Sequence, residues 1–165
     1  RDFCLSRGLG DVYKRQIKLF SAGISPSITD EILTPDEQLD TPRYMKNIKE
    51  MIESLTEKGY ISSQADLRNQ SVLAWDMGRL VLIARCCFEC GYITEEKAWC
   101  YMEEAHKKCC AVYGDWKEFA AGYVIGRCMW GGMKQMPGGI MGIAEGLLRD
   151  QESPWQKVQL HVFEM

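Results

Sequence analysis

The sequence lacks the features on which binding to nucleic acids or membranes usually depends. It has 20 Lys and Arg against 23 Asp and Glu, so it has no basic excess with which to attract a phosphate backbone. A bilayer-spanning helix needs about 20 consecutive apolar residues. The most apolar segment, residues 72–90, is interrupted by Asp76, Arg79, Arg85 and Glu89. We therefore expect neither nucleic-acid binding nor membrane crossing.

The sequence also has few residues and patterns that are typical of enzymes. It contains only two histidines, His106 and His161, and no glycine-rich elbow accompanies a candidate nucleophile. Gly138-Gly139 precedes a predicted helix, but the Lys and Ser or Thr of a phosphate-binding loop do not follow it. These absences favour a non-enzymatic protein, and we expect no cofactor.

The first sixteen residues are interpreted as foreign to the protein. Residues 11–16, Asp-Val-Tyr-Lys-Arg-Gln, resemble a translation of the transposon end used in sequencing-library preparation, as in metagenomic assemblies. We interpret residues 17–40, which are rich in Ser, Pro, Thr and Asp, as a linker or N-terminal arm with one short helix at 29–33. The predicted helical domain covers residues 41–157, and a tail covers residues 158–165.

Seven of the eight cysteines fall in segments with a helical pattern. These seven are Cys86, Cys87, Cys90, Cys100, Cys109, Cys110 and Cys128. Disulfide frameworks usually hold together small, loop-rich secreted domains, which this pattern does not resemble. We therefore expect reduced thiols packed as small hydrophobic groups in a cytoplasmic protein.

The first two predicted helices follow from apolar spacing and from their end signals. Thr41 and Pro42 are typical of a helix start, and Gly59 is typical of a helix end. A second helix over about 70–90 is apolar nearly all round, and Gly91 ends it. That composition predicts that the second helix is the central element of the fold.

Three further helices follow the central one. Thr94 caps the third helix, Asp115 with Glu118 opens the fourth, and Gly131-Gly132 ends the fourth. A last short helix covers 140–148, and Val158, Leu160 and Val162 then alternate as in an isolated strand. The sequence predicts a single-domain, all-α orthogonal bundle of about five helices with a short extended C-terminal tail.

A set of spaced residues resembles a known family. The set comprises residues 74–79, 84–85, 90–92, 95–96 and 99, then Trp116, Glu118-Phe119, Tyr123, Gly126-Arg127, Trp130 and 153–155. Together they resemble the bacterial family of domains of unknown function DUF1266 over about residues 70–157. The cysteine-rich second and third helices depart from the family pattern. The resemblance supports a helical fold and implies no activity, cofactor or catalytic residue.

Three charged residues stand among apolar ones and form the leading candidate site. Asp76 and Arg79 share one face of the second helix, and Arg127 lies in line with the aromatic residues of the fourth. A buried charge needs a partner, so we expect Asp76 to pair with Arg79 and Arg127 and to join the two helices. Two roles stay open for this cluster: a structural ion pair, or a ligand pocket walled by Trp75, Trp99 and Trp130.

A second candidate site would hold a metal ion. Cys87, Cys90, His106 and Cys110 are the residue types of a closed tetrahedral zinc site. The Cys pair lies at a helix end, whereas structural zinc pairs usually come from turns, so we favour core packing and expect no metal.

The predicted function follows from these candidates. The distinctive residues are mostly aromatic anchors and ion pairs, which favours a non-enzymatic protein-interaction module with a protein partner. By analogy with families that accompany secreted toxins or stress operons, the module is of adaptor or immunity type. The alternative is a small-ligand-binding or enzymatic domain with its pocket near Asp76, Arg79 and Arg127. The sequence does not indicate the oligomeric state.

Overall fold

The protein folds as a bundle of α-helices, as the sequence predicts. The computed structural model describes residues 35–131 and 137–161, with side chains for 42–131 and 139–161. All regular elements in these ranges are helical: α1 (Pro35–Glu57), a 3-10 helix (Gln64–Asn69), α2 (Leu73–Glu89), α3 (Glu95–Cys110), α4 (Trp116–Gly131), α5 (Pro137–Arg149) and α6 (Pro154–Lys157). The all-α prediction is confirmed.

Some sequence predictions fall outside the described residues. They concern the foreign segment 1–16, the arm up to residue 34 with its short helix at 29–33, Gly132 and Val162. Among the residues that are described, no helix combines the length and the apolar character that crossing a membrane requires.

The helix-end signals that the sequence predicts at Gly59, Gly91, Thr94 and Asp115 are present in the structure. Gly59 and Gly91 both have φ of 73°, a conformation that glycine adopts without strain just after a helix. The Thr94 hydroxyl accepts a hydrogen bond from the Lys97 amide at 3.3 Å. At the start of α4, the Glu118 amide donates to the Asp115 carboxylate at 2.8 Å. These caps fix the bounds of α2, α3 and α4.

The first helix starts earlier than predicted. α1 begins at Pro35 rather than at Thr41, and Pro42 lies inside it. The sequence has two Thr-Pro pairs, at residues 34–35 and 41–42, and either pair can begin a helix. The helix begins at the proline of the first pair, so it lacks one backbone hydrogen bond at Pro42.

The tail does not form a strand in its described part. Val158 has extended backbone angles, but residues 158–161 pair with no strand among the described residues. Leu160 is instead buried with residues of α2 and α3, including Met77, Ala105 and Cys109. Burying the Leu160 side chain removes apolar surface from water, which stabilises this segment without a partner strand.

α4 rather than α2 is the central helix. α4 packs against α1, α2 and α5. Its buried residues are Ala120, Ala121, Gly122, Val124, Ile125, Gly126, Cys128 and Met129. One face of α4 joins the large core with α1 and α5, whereas its Phe119 and Tyr123 pack on the smaller core of α2 and α3.

α2 and α3 form an antiparallel hairpin whose large buried side chains lie near its base. The first two turns of α2 contain the buried residues Ala74, Trp75, Asp76 and Met77. In the second half of α2, from Leu82 to the helix end, Ala84 is the one buried residue. The apolar composition that predicts a central helix therefore reflects an exposed apolar surface at the outer end of the hairpin.

Candidate functional site

The amino end of α2, which carries the candidate cluster, is held by a side chain from the segment that follows α3. The Tyr113 hydroxyl accepts a hydrogen bond from the Ala74 amide at 2.9 Å and donates one to the Ser71 carbonyl at 2.8 Å. Burial raises the pKa of Tyr113 to about 12, so the hydroxyl stays protonated and can donate. Tyr113 thus caps the start of α2, although it lies 39 residues after Ala74 in the sequence.

Three glycines let α2 and α4 cross closely beside this cap. A Cβ atom at Gly78 would lie 2.5 Å from the Tyr123 ring, and one at Gly126 would lie 2.6 Å from Cβ of Trp75. A Cβ atom at Gly122 would lie 2.5 Å from the Ser71 carbonyl oxygen. The close approach brings the aromatic side chains of α4 onto the charged face of α2.

Asp76 and Arg79 pair with each other one turn apart on α2. An Arg79 terminal nitrogen donates to Oδ1 of Asp76, whose side chain is buried. Burial raises the pKa of Asp76 above its ordinary value, and the hydrogen bond and charge of Arg79 offset only part of that shift. Arg79 therefore compensates only part of the cost of burying the Asp76 carboxylate.

Arg127 reaches the same place from α4, where it lies against aromatic rings. Its guanidinium carbon is 5.5 Å from the ring centroid of Trp75 and 5.1 Å from that of Trp130. Arg79 also lies over Trp75, at 5.1 Å. Both rings attract cations through their π faces, so aromatic contacts from α2 and α4 hold Arg127, and its pairing with Asp76 stays a prediction.

Trp75 is the centre of this arrangement. Its ring meets Tyr123 edge-on with centroids 5.2 Å apart, and Trp130 at 6.0 Å. Its indole nitrogen is buried without a hydrogen-bond partner among the described residues, as are Oδ2 of Asp76 and Nε of Arg79. The cluster therefore contains two buried donors and one buried acceptor without a hydrogen-bond partner among the described residues.

Trp99 does not join the cluster. Its side chain is 56% exposed, and its indole nitrogen donates to Glu95 of the same helix at 3.4 Å. Among the described residues, no ring contact links it to Trp75 or Trp130. The structure therefore brings together Asp76, Arg79, Arg127, Trp75 and Trp130, and leaves Trp99 on the outer surface of the hairpin.

The described cavities lie away from the charged cluster. One of about 180 Å³ is bounded by α4, α5 and α6, with Phe119, Tyr123 and Trp155 among its lining residues. Another of about 300 Å³ lies between the start of α4 and the C-terminal segment. Trp116 and Trp155 form its aromatic wall, stacked with centroids 5.0 Å apart.

The four candidate metal ligands are not assembled into a site. His106 donates through Nε2 to the Leu160 carbonyl at 2.8 Å, and the Cys110 thiol donates to the same oxygen at 3.2 Å. Cys90 is exposed and Cys87 is half-buried at the other end of the hairpin. The described residues contain no group of three or more His, Cys, Asp or Glu side chains arranged for a metal ion.

Sequence analysis misses two features of the α2–α3 hairpin and its surroundings. The cap from Tyr113 has no local signal, because its partners lie 39 and 42 residues away in the chain. The exposed apolar residues at the outer end of the hairpin do have a signal, the all-round apolar character of α2. That same signal is typical of a buried helix, which is why the sequence predicts a central position.

The chain matches the model of a known protein family. A family model described as a protein of unknown function (DUF1266) matches residues 9–160 of the chain. No curated protein and no solved structure matches it.

Proposed function

We propose that this chain, which belongs to the DUF1266 family, is a non-enzymatic protein-interaction module of adaptor or immunity type. Its contact surface is the outer end of the α2–α3 hairpin. We name this surface the hairpin patch and define it by Leu82, Ile83, Phe88, Tyr92 and Trp99.

The observation that carries the proposal is the exposure of large apolar side chains at one end of the molecule. Leu82 is 59% exposed, Trp99 56% and Tyr92 80%, and Ile83 and Phe88 are exposed as well. Such side chains cost free energy in water, and a group of them on a folded protein is typical of a protein-binding surface. Trp and Tyr are also the residues that most often dominate binding energy.

The state of the charged cluster supports the same proposal. Asp76 and Arg79 are turned toward each other, and Arg127 lies on aromatic rings. Groups that neutralise each other are suited to fixing helix positions rather than to proton transfer. The free cysteines of α2 to α4 fit a reducing compartment, and we place the protein in the cytoplasm.

Site-specific photo-crosslinking tests the proposed surface. A photoreactive amino acid replaces Ile83 in one variant and the equally apolar, exposed Ile143 of α5 in a matched control. In extracts of cells that produce the protein, we expect a discrete protein adduct from position 83 and none from position 143. No adduct from position 83, or the same adducts from both positions, would contradict the proposal.

A second candidate function rests on the unpaired buried atoms of Trp75, Asp76 and Arg79. The two N–H donors and the two nearby arginines favour a small anion such as a carboxylate or a phosphate. Acetate and inorganic phosphate are the probes, titrated while tryptophan fluorescence is recorded. A saturable change that Arg79→Gln abolishes is expected for a ligand site, and a linear, variant-independent response would exclude one.

A further inference from the structure

One side of the second half of α2 is exposed. Leu82, Ile83, Cys86 and Cys90 are all exposed, and at 100° per residue they fall within an arc of about 100°. This arc, which we name the α2 stripe, is opposite the side on which Met77 packs against α3. No described helix packs on this stripe, which leaves room there for another helix.

The α2 stripe continues a surface that is covered nearer the base of the hairpin. Trp75 and Arg79 lie on the same line of the helix, and there Tyr123 and Trp130 of α4 cover Trp75. From Leu82 onward, the residues on this line are exposed. The outer half of α2 thus has the apolar surface of a packed helix without a neighbouring helix among the described residues.

Two opposite charges flank the α2 stripe on the same side. Arg85 and Glu89 are both exposed and form no ion pair with any described residue. Their order along the helix, with the basic residue first, is the less favourable one for pairing within a helix. Each is therefore available to a charge on a partner.

We propose that the partner is a second copy of this chain, packed with its α2 antiparallel on the α2 stripe. If a twofold axis passes close to residue 87, Arg85 of each copy faces Glu89 of the other. Because a twofold contact repeats every interaction, two ion pairs form at once, and the apolar residues of both stripes are buried between them. The surface is complementary to itself in both charge and apolarity.

This inference rests on the proposed function, because it names the partner of the same end of the hairpin. It adds a geometric requirement that a different partner would not meet. In the proposed dimer, Arg85 of each copy pairs with Glu89 of the other copy. Reversing both charges in the same chain therefore preserves the two ion pairs.

Charge reversal with sedimentation analysis tests the dimer. We expect the wild-type chain to sediment as a dimer, and Arg85→Glu or Glu89→Arg alone to weaken dimerisation by about tenfold or more, since each substitution places like charges together twice. The double variant Arg85→Glu with Glu89→Arg should recover the dimer. The exposed control Ile143→Asp should dimerise as the wild type does.

Crosslinking at Cys86 gives an independent measurement. The proposed axis lies within about one residue of Cys86, so a short bismaleimide should join the Cys86 thiols of the two copies. The variant Cys86→Ser should abolish that product, whereas the control Cys100→Ser should retain it.

A wild-type monomer, or a double variant that stays monomeric, would overturn the inference. A heteromeric adduct from position 83 would in that case leave the proposed function standing, so the failures of the two proposals are distinguishable.

Discussion

At the scale of single residues, the polar atom expected to contribute most to the free energy of unfolding is the hydroxyl oxygen of Tyr113. Removing its hydroxyl in Tyr113→Phe leaves the Ala74 amide and the Ser71 carbonyl without their bonds at the buried start of α2. We expect a loss of about 1–3 kcal/mol in the free energy of unfolding, measured by urea denaturation. Tyr92→Phe is the matched control, because Tyr92 is 80% exposed and should change stability by less than about 0.5 kcal/mol.

Asp76 should give a pH dependence of unusual sign for a carboxylate. Burial raises its pKa in the folded protein above the ordinary value, so the folded protein binds the proton more readily than the unfolded chain does. Stability from this group is therefore present at low pH and lost as the pH rises through the folded pKa. Relative to Asp76→Asn, the wild type should gain unfolding free energy between about pH 7 and about pH 4.

Urea titrations of both proteins at several pH values measure this difference. If the wild type instead loses free energy of unfolding relative to Asp76→Asn on acidification, the attraction of Arg79 outweighs the burial of the carboxylate. Such a result would make the pair a net stabilising ion pair and would contradict the pKa direction.

At the scale of helices, the crossing of α2 and α4 depends on glycine. In Gly122→Ala the new methyl group would meet the Ser71 carbonyl oxygen at 2.5 Å and the Tyr113 hydroxyl at 2.6 Å, and both are fixed by their mutual hydrogen bond. We expect a loss of about 1–3 kcal/mol in unfolding free energy. Gly146→Ala in α5, where no atom lies within 4 Å, should instead stabilise by up to about 1 kcal/mol through helix propensity.

Thermal or urea unfolding of the two variants measures both effects. Equal stabilisation by both substitutions would mean that the helices can separate at little cost, and that the close crossing does not fix the charged cluster.

The helix scale also shows what could be predicted from sequence. The caps at Thr94 and Asp115 and the stops at Gly59 and Gly91 follow from residues within one turn of each other, so local chemistry is sufficient. The pairing of Asp76 with Arg79 is predictable for the same reason. The position of Arg127 on Trp75 is not, because it depends on the distance between two helices, which Gly78, Gly122 and Gly126 set through contacts with distant residues.

At the scale of the whole molecule, the C-terminal segment completes the fold. Leu160 is 3% exposed, its carbonyl accepts from His106 and Cys110, and His161 donates to the Tyr113 carbonyl at 2.9 Å. We expect Leu160→Ala to cost about 2–5 kcal/mol of unfolding free energy. Val158→Ala, at a side chain that is 51% exposed, is the control, and equal effects of the two would mean that the segment is not part of the core.

The geometry of the α2–α3 hairpin determines how its length can change between related proteins. Because α2 and α3 pack against each other as a hairpin, inserting seven residues into each helix would move the tip outward by about 10 Å and keep the direction of its side chains nearly constant. The reach of the molecule can therefore vary in whole double turns, independently of the packing at its base.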